Sequence, residues 1–356
     1  MNTLQVGLAV AGAIVLAAVI AHGAWTSRKS RPKQAVPDSP REAAEKIEPM
    51  LDGDAGLPIE PTLDPVSDSP AVDPFNCLPT PRRETGLDAL IDVIAPIAIE
   101  SQVSGDAALA ALPATRRAGS KPFAVEGLNV DTAQWEAPVA GQRYSAFQAG
   151  VQLANRLGAL NQIEYSEFVT KARAFADAVG GEPEFPEMLD EVARAKELDQ
   201  FAGEHDAQLS FVLRARGAAW SPGYVHQSAA RLGFVAGVIP GRMVLPASQE
   251  GLPPVLVLSF DTQVALAEAP EQAGLRDLTL ALDVPQVSRD EKPFERMCEV
   301  ALALASGMEG VITDDSGSAI RADTMEAIHA DLQKLYTTLD ERELSAGTPL
   351  ARRLFS

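Results

Sequence analysis

QLSFVLRARG, residues Gln208–Gly217, decides the reading of the fold. Leu209, Phe211 and Leu213 alternate with Ser210, Val212 and Arg214, the period of a strand with one face buried and one open. Ser221-Pro222 follows, a capping hydroxyl and a first-turn proline, and predicts a helix through Tyr224, Val225, Ala229 and Leu232 that stops at Gly233. GVIPGRMVLP, PPVLVLSFDT and LTLALDVP read as three further strands, with Leu256, Leu258 and Phe260 sharing a face, and likewise Leu278, Leu280, Leu282 and Val284. A second helix carries Phe294, Met297, Cys298, Ala301, Leu302 and Ala305 as an apolar stripe. Gly310–Thr313 is a short strand, Asp314–Gly317 a turn and Ser318–Arg321 its answering arm. Asp323-Thr324 then caps a last helix through Met325, Ile328, Leu332, Leu335 and Leu339. The order β-α-β-β-β-α-β-β-α gives an α+β fold, a mostly antiparallel sheet with helices on one face.

The other face must meet water or a partner. The sets Leu209/Phe211/Leu213, Leu256/Leu258/Phe260 and Leu278/Leu280/Leu282 are the larger, so they pack beneath the helices. That leaves Val212, Ile239, Val255, Val257 and Ala281 outward, with Ser259 and Thr279 among their polar edges. Aliphatic side chains on an uncovered sheet face mark a binding surface.

Upstream, Gly86 to His205 runs through a similar order. Strands over GLDALIDVIAPIAIES, SKPFAVEGL and RYSAFQAGVQLANR alternate with helices, one of which carries Phe168, Ala172, Phe175 and Ala176 on one face. The repeat predicts a second, degenerate module of the same type over 86–205, followed by 206–345 and a tail at 346–356. WEAPVAGQRYSAFQAGVQ offers Pro, Gly and polar residues where a counterpart of PPVLVLSFD is expected, so the copy's sheet reads as shortened.

The chain opens differently. Leu4–Trp25 contains no Asp, Glu, Lys or Arg, and at about 1.5 Å per residue it is long enough to cross a hydrocarbon core of about 30 Å. One spanning helix over 1–27 is expected. Arg28, Lys29, Arg31 and Lys33 come directly after it, which places the rest of the chain on the cytoplasmic side and offers anionic headgroups a basic patch. From 28 to 85 the chain is rich in Pro and Asp without periodic apolar positions, the composition of a disordered tether with a reach of about 150 Å when extended.

A formal net charge of −19 over 356 residues leaves no cationic surface for nucleic acid. Cys77 and Cys298 are far apart and lack metal-ligand spacing. His22, His205, His226 and His329 fall in no catalytic or metal motif, and Asp314-Asp315 alone is too few oxygens for a hard cation. No cofactor, metal or small-molecule substrate is expected, and the sequence reads as non-enzymatic. The alternative is a membrane-tethered enzyme or envelope factor working through the middle module.

The passages AARLGFVAGVIPGRMVLP, PPVLVLSFD, LTLALDVPQV and FERMCEVALALASGMEGVITDDSGSAIR, with the closing helix, resemble the C-terminal domain of the ZipA family of bacterial cell-division proteins. GAIVLAAVIAHGAWTSRKSRP resembles that family's membrane anchor, and a Pro-rich linker between the two is a family trait. The stretch from Gly86 to His205 departs from the family. The resemblance implies a single-pass inner-membrane protein, N-terminus periplasmic, that tethers the tubulin-like division protein FtsZ at the septum, the FtsZ C-terminal peptide lying on the open sheet face. Ile239, Asp261 and Ala281 fall where the family presents large hydrophobic groups, a pattern from which Asp261 and Ala281 depart.

Overall fold

The computed structural model describes residues 33–34, 86–266 and 274–356. The spanning segment expected at 1–27, the basic residues Arg28, Lys29 and Arg31, and residues 35–85 of the expected linker lie outside the described residues. Among the described residues no helix is long and apolar enough to cross a membrane.

The first half builds strand β1 (Asp92–Ile99), helix α1 (Gly105–Ala111), β2 (Lys121–Asn129), β3 (Arg143–Gln152), α2 (Gln162–Val179), β4 (Gly181–Pro183) and α3 (Met188–His205). The main strands pair in the order β2-β3-β1-β4, all antiparallel. Asn161 starts α2 through a capping box: its carboxamide accepts from Ile163 N and Glu164 N, and Glu164 reaches back to Asn161 N. The expected stripe Phe168, Ala172, Phe175 and Ala176 is buried, with Phe175 edge-on to Phe147 of β3 at 5.2 Å. The sheet is not shortened. β2, from the SKPFAVEGL passage, runs nine residues and fills the place judged empty. The composition of WEAPVAGQRYSAFQAGVQ misled because it spans a loop and β3, neither of which occupies that place.

The second half contains β5 (Gln208–Ala215), α4 (Pro222–Ala230), β6 (Val235–Ala236), β7 (Arg242–Leu245), β8 (Leu256–Ser259), β9 (Asp277–Asp283), α5 (Pro293–Met308), β10 (Gly310–Thr313) and α6 (Ala322–Glu341). Its sheet runs β6-β7-β8-β9-β5-β10, again antiparallel throughout. The inner part, β8-β9-β5-β10, repeats the neighbour order of β2-β3-β1-β4. Ser221 caps α4 by accepting from Tyr224 N, with Pro222 in the first turn. Within GVIPGRMVLP only Arg242–Leu245 is strand, and residues 237–241 are the turn that joins it to β6. Gly241 makes that turn possible, with φ +77° and the position of a missing Cβ only 2.7 Å from the Phe260 carbonyl. At α6 the capping position belongs to Arg321, which makes no side-chain cap bond, and Asp323 stands inside the first turn. Phe211 meets Phe294 of α5 edge-on at 6.3 Å, and Phe294, Met297, Leu304 and Met308 seal the helix layer against the sheet.

The expected tail is part of the fold. Residues Pro349–Leu354 form α7, and Ala351, Leu354 and Phe355 are buried. From there Gln286 donates to the Arg352 and Phe355 carbonyls, and Gln152 donates to the Arg353 carbonyl, so α7 bridges the halves. Arg353 pairs with the fully buried side chain of Asp92 at 2.5 Å, and Arg156 joins Asp206 and Asp283 at 2.6 and 2.7 Å. Those two carboxylates hold the Arg156 guanidinium more firmly protonated than usual. The buried side chains of both halves form one connected cluster.

Lys33 is docked as well. Its N–H donates to the Ala219 carbonyl and its carbonyl accepts from Ser221 N, a parallel bridge beside Trp220, while its Nζ sits 3.0 Å from Glu309. The linker expected to begin at residue 28 therefore touches the second module at residue 33.

Candidate partner-binding face

Register fixes which side chains of the second sheet share the face away from the helices. Met243, Leu258, Leu280 and Phe211 stand opposite one another and are buried inward. Their neighbours form two outward rungs: Val244–Val257–Ala281–Ser210, and Arg242–Ser259–Thr279–Val212–Thr313. Val257, Ala281, Ser210, Ser259, Thr279 and Val212 are half-buried, as outward residues of a sheet with bare neighbours should be. Ile239 is 52% exposed and Val238 86%, both in the turn that ends against Arg242.

Five of the seven expected face residues, Val212, Val257, Ala281, Ser259 and Thr279, thus stand on the outward rungs; Ile239 stands in the adjoining turn, and Val255 does not face outward. It is 1% exposed and belongs to the core. Pro253-Pro254 withholds regular pairing until Leu256, so the alternation that carries Val257 outward does not extend back to Val255. Arg242 joins the face unforeseen, and Val244 and Thr313 share its rungs but are buried, at 6% and 3% exposure. Nothing in their local pattern assigns them; only pairing of β7 with β8 and of β10 with β5 does.

The centre of the face is aliphatic and hydroxylic, and charge is kept to the margins. Arg214 Nε pairs with Asp277 at 2.8 Å on one side, and Ser210 donates to Asp315 at 2.8 Å on another. Asp261 lies off the rungs, capping residues Thr262–Ala265 through Gln263 N.

The remaining reactive side chains are occupied structurally. Asp314 accepts from Ser316 Oγ and Ser318 N, which holds its carboxyl below the usual range and explains it as a turn residue. Cys298 sits on the apolar stripe of α5, where burial and the nearby Glu295 and Glu299 raise its thiol to about 11. His205 stacks on Phe201 with centroids 4.3 Å apart, and His329 leans on Phe294. Burial lowers the His226 pKa; it stands edge-on to Phe260 and lines an open groove of about 640 Å³ between α4 and the β6–β7 edge. Among the described residues no group of three His, Cys, Asp or Glu is arranged to hold a metal ion.

The second module is thus an α+β unit, an antiparallel sheet with helices on one face and a neutral, small-residue surface on the other. Residues 265–331 match the family model of the ZipA, C-terminal FtsZ-binding domain. That stretch includes β9, α5, β10 and the start of α6, and over it the resemblance read from the sequence holds. No curated protein matches. Among solved structures, a berberine bridge enzyme variant is similar at 12% identity over 60% of this chain and 41% of its own, with a TM-score of 0.16. The berberine bridge enzyme from Eschscholzia californica, monoclinic form, is similar at 11% identity over 74% and 53%, also with a TM-score of 0.16. The chain spans about half the length of these structures or less, and superpositions this poor carry no argument.

Proposed function

We propose that this chain is a non-enzymatic inner-membrane tether that binds the C-terminal peptide of FtsZ on the outer face of its second module and holds the division ring at the septum. One observation carries the reading. The family match includes β9, and β9 supplies Thr279 and Ala281, the centre of the outer face. Val257, Ser259 and Val212 flank them and Ile239 stands at the rim, so an extended apolar peptide finds contact area without having to desolvate a charge. Leu4–Trp25 serves as the anchor, with Arg28, Lys29 and Arg31 toward anionic lipid on the cytoplasmic side. Residues 86–205 are a degenerate duplicate of 206–345, a reading supported by the shared neighbour order of the two sheets.

The test is direct binding of a synthetic FtsZ C-terminal peptide to the full chain in nanodiscs, measured by calorimetry. Saturable binding at micromolar peptide is expected. No heat up to high micromolar peptide would overturn the proposal.

A further inference from the structure

The two sheets can be compared rung by rung, because each starts from an equivalent pair: Asp92 opposite Gln152 in one, Gln208 opposite Asp283 in the other. Two residues further in, Ala124–Gly150–Ile94 points outward in the first sheet where Val257–Ala281–Ser210 does in the second. In the first sheet that rung has an occupant. A Cβ added to Gly150 would lie 2.4 Å from Cδ2 and 2.9 Å from Cδ1 of Leu87, so the leucine rests directly on the glycine.

Backbone bonds hold the arm there. Leu87 N donates to Glu126 Oε1 at 2.8 Å, and Arg353 Nη1 donates to the Gly86 carbonyl at 2.8 Å. Glu126 is 2% exposed although it points outward on the next rung, opposite Gln148, from which its second oxygen accepts at 2.8 Å. A carboxylate enclosed on an outer face needs donors from both sides, and here one donor is the backbone of the arm. Asp88 then turns the chain into β1 by accepting from Leu90 N.

We propose that the outer face of the first module is a peptide site of the same kind as that of the second, occupied in cis by Gly86–Leu87, so that the duplicated chain offers a partner a single groove. This rests on the reading of the second module's face as the FtsZ site.

Calorimetry of the full chain with the synthetic FtsZ C-terminal peptide, read as peptides bound per chain, tests it. The wild type binds one. Leu87→Asp, whose carboxylate Glu126 repels, binds two. Gly150→Ala also binds two, because its methyl takes the space of Leu87 and recreates the alanine rung of the second module without adding charge. Circular dichroism melting identifies which variants are folded, and two sites in either folded variant supports the proposal. One site in both, or two in the wild type, overturns it. A wild type that binds none while a variant binds one refutes the role of the second module but upholds the cis occupancy; no binding by any of the three overturns both.

Discussion

Arg353→Met isolates the contact that joins the two ends of the described fold. The Asp92 side chain has no exposure and is paired at 2.5 Å with Arg353, itself about a quarter exposed. Removing one partner of a buried pair strands the other charge, a loss of about 3–5 kcal/mol; partial exposure of the guanidinium argues for the lower figure, about 3. For a body this size that lowers Tm by about 6–12 °C. The loss depends on pH in a definite direction. Burial raises the Asp92 carboxyl, and the charge and hydrogen bond of Arg353 pull it partly back. A carboxyl whose folded pKa is raised adds most stability below its unfolded value, near pH 4, and that stability fades as pH climbs through the folded value. Without Arg353 the folded value climbs further. The variant's deficit against wild type is therefore greatest at pH 7 and shrinks as pH falls toward 4.5. Adding Asp92→Asn restores at least half of the loss at pH 7. Urea denaturation of wild type, single and double variants at both pH values gives the numbers. A deficit equal at the two pH values and unrelieved by Asp92→Asn would refute the reasoning.

Two valines two residues apart separate binding from stability: Val257→Asp weakens FtsZ-peptide binding at least tenfold, about 1.4 kcal/mol, with Tm nearly unchanged. Val255→Asp instead buries an unpaired carboxylate and costs more than about 3 kcal/mol of stability, so the melting curves of the two variants must differ. With its thiol raised to about 11, Cys298 alkylates about tenfold faster for each pH unit between 7 and 10, followed by mass spectrometry of its own peptide; a plateau below pH 9 would contradict the burial argument. Gly241→Ala forces a methyl toward the Phe260 carbonyl at positive φ and destabilises by about 1–3 kcal/mol, read from the urea midpoint.

The second module was legible because its strands alternate cleanly and its helices announce their starts; Ser221-Pro222 and the Phe294 stripe each state locally what the tertiary structure needs. Val255 was not, since adjacent prolines delay the strand and a period read from Leu256 onward cannot report that. The turn at Gly241 was hidden by Val238 and Ile239, which are apolar enough to read as the start of the strand that begins at Arg242. The roles of Leu87 and α7 are set by partners far along the chain, Glu126 and Asp92. Residues 349–354 carry two arginines and look like a polar end until Asp92, 261 positions earlier, is seen to need one of them.

The docking of Lys33 changes what residues 35–85 accomplish. Lys33 and Gly86 are both bonded to the described body, so the residues between them join two fixed points instead of measuring out a distance. For a flexible chain the cost of such a closure grows slowly, about 0.6 kcal/mol for each doubling of its length. Changing the number of residues between Lys33 and Gly86 therefore leaves both ends, and the outer face of the second module, where they stand.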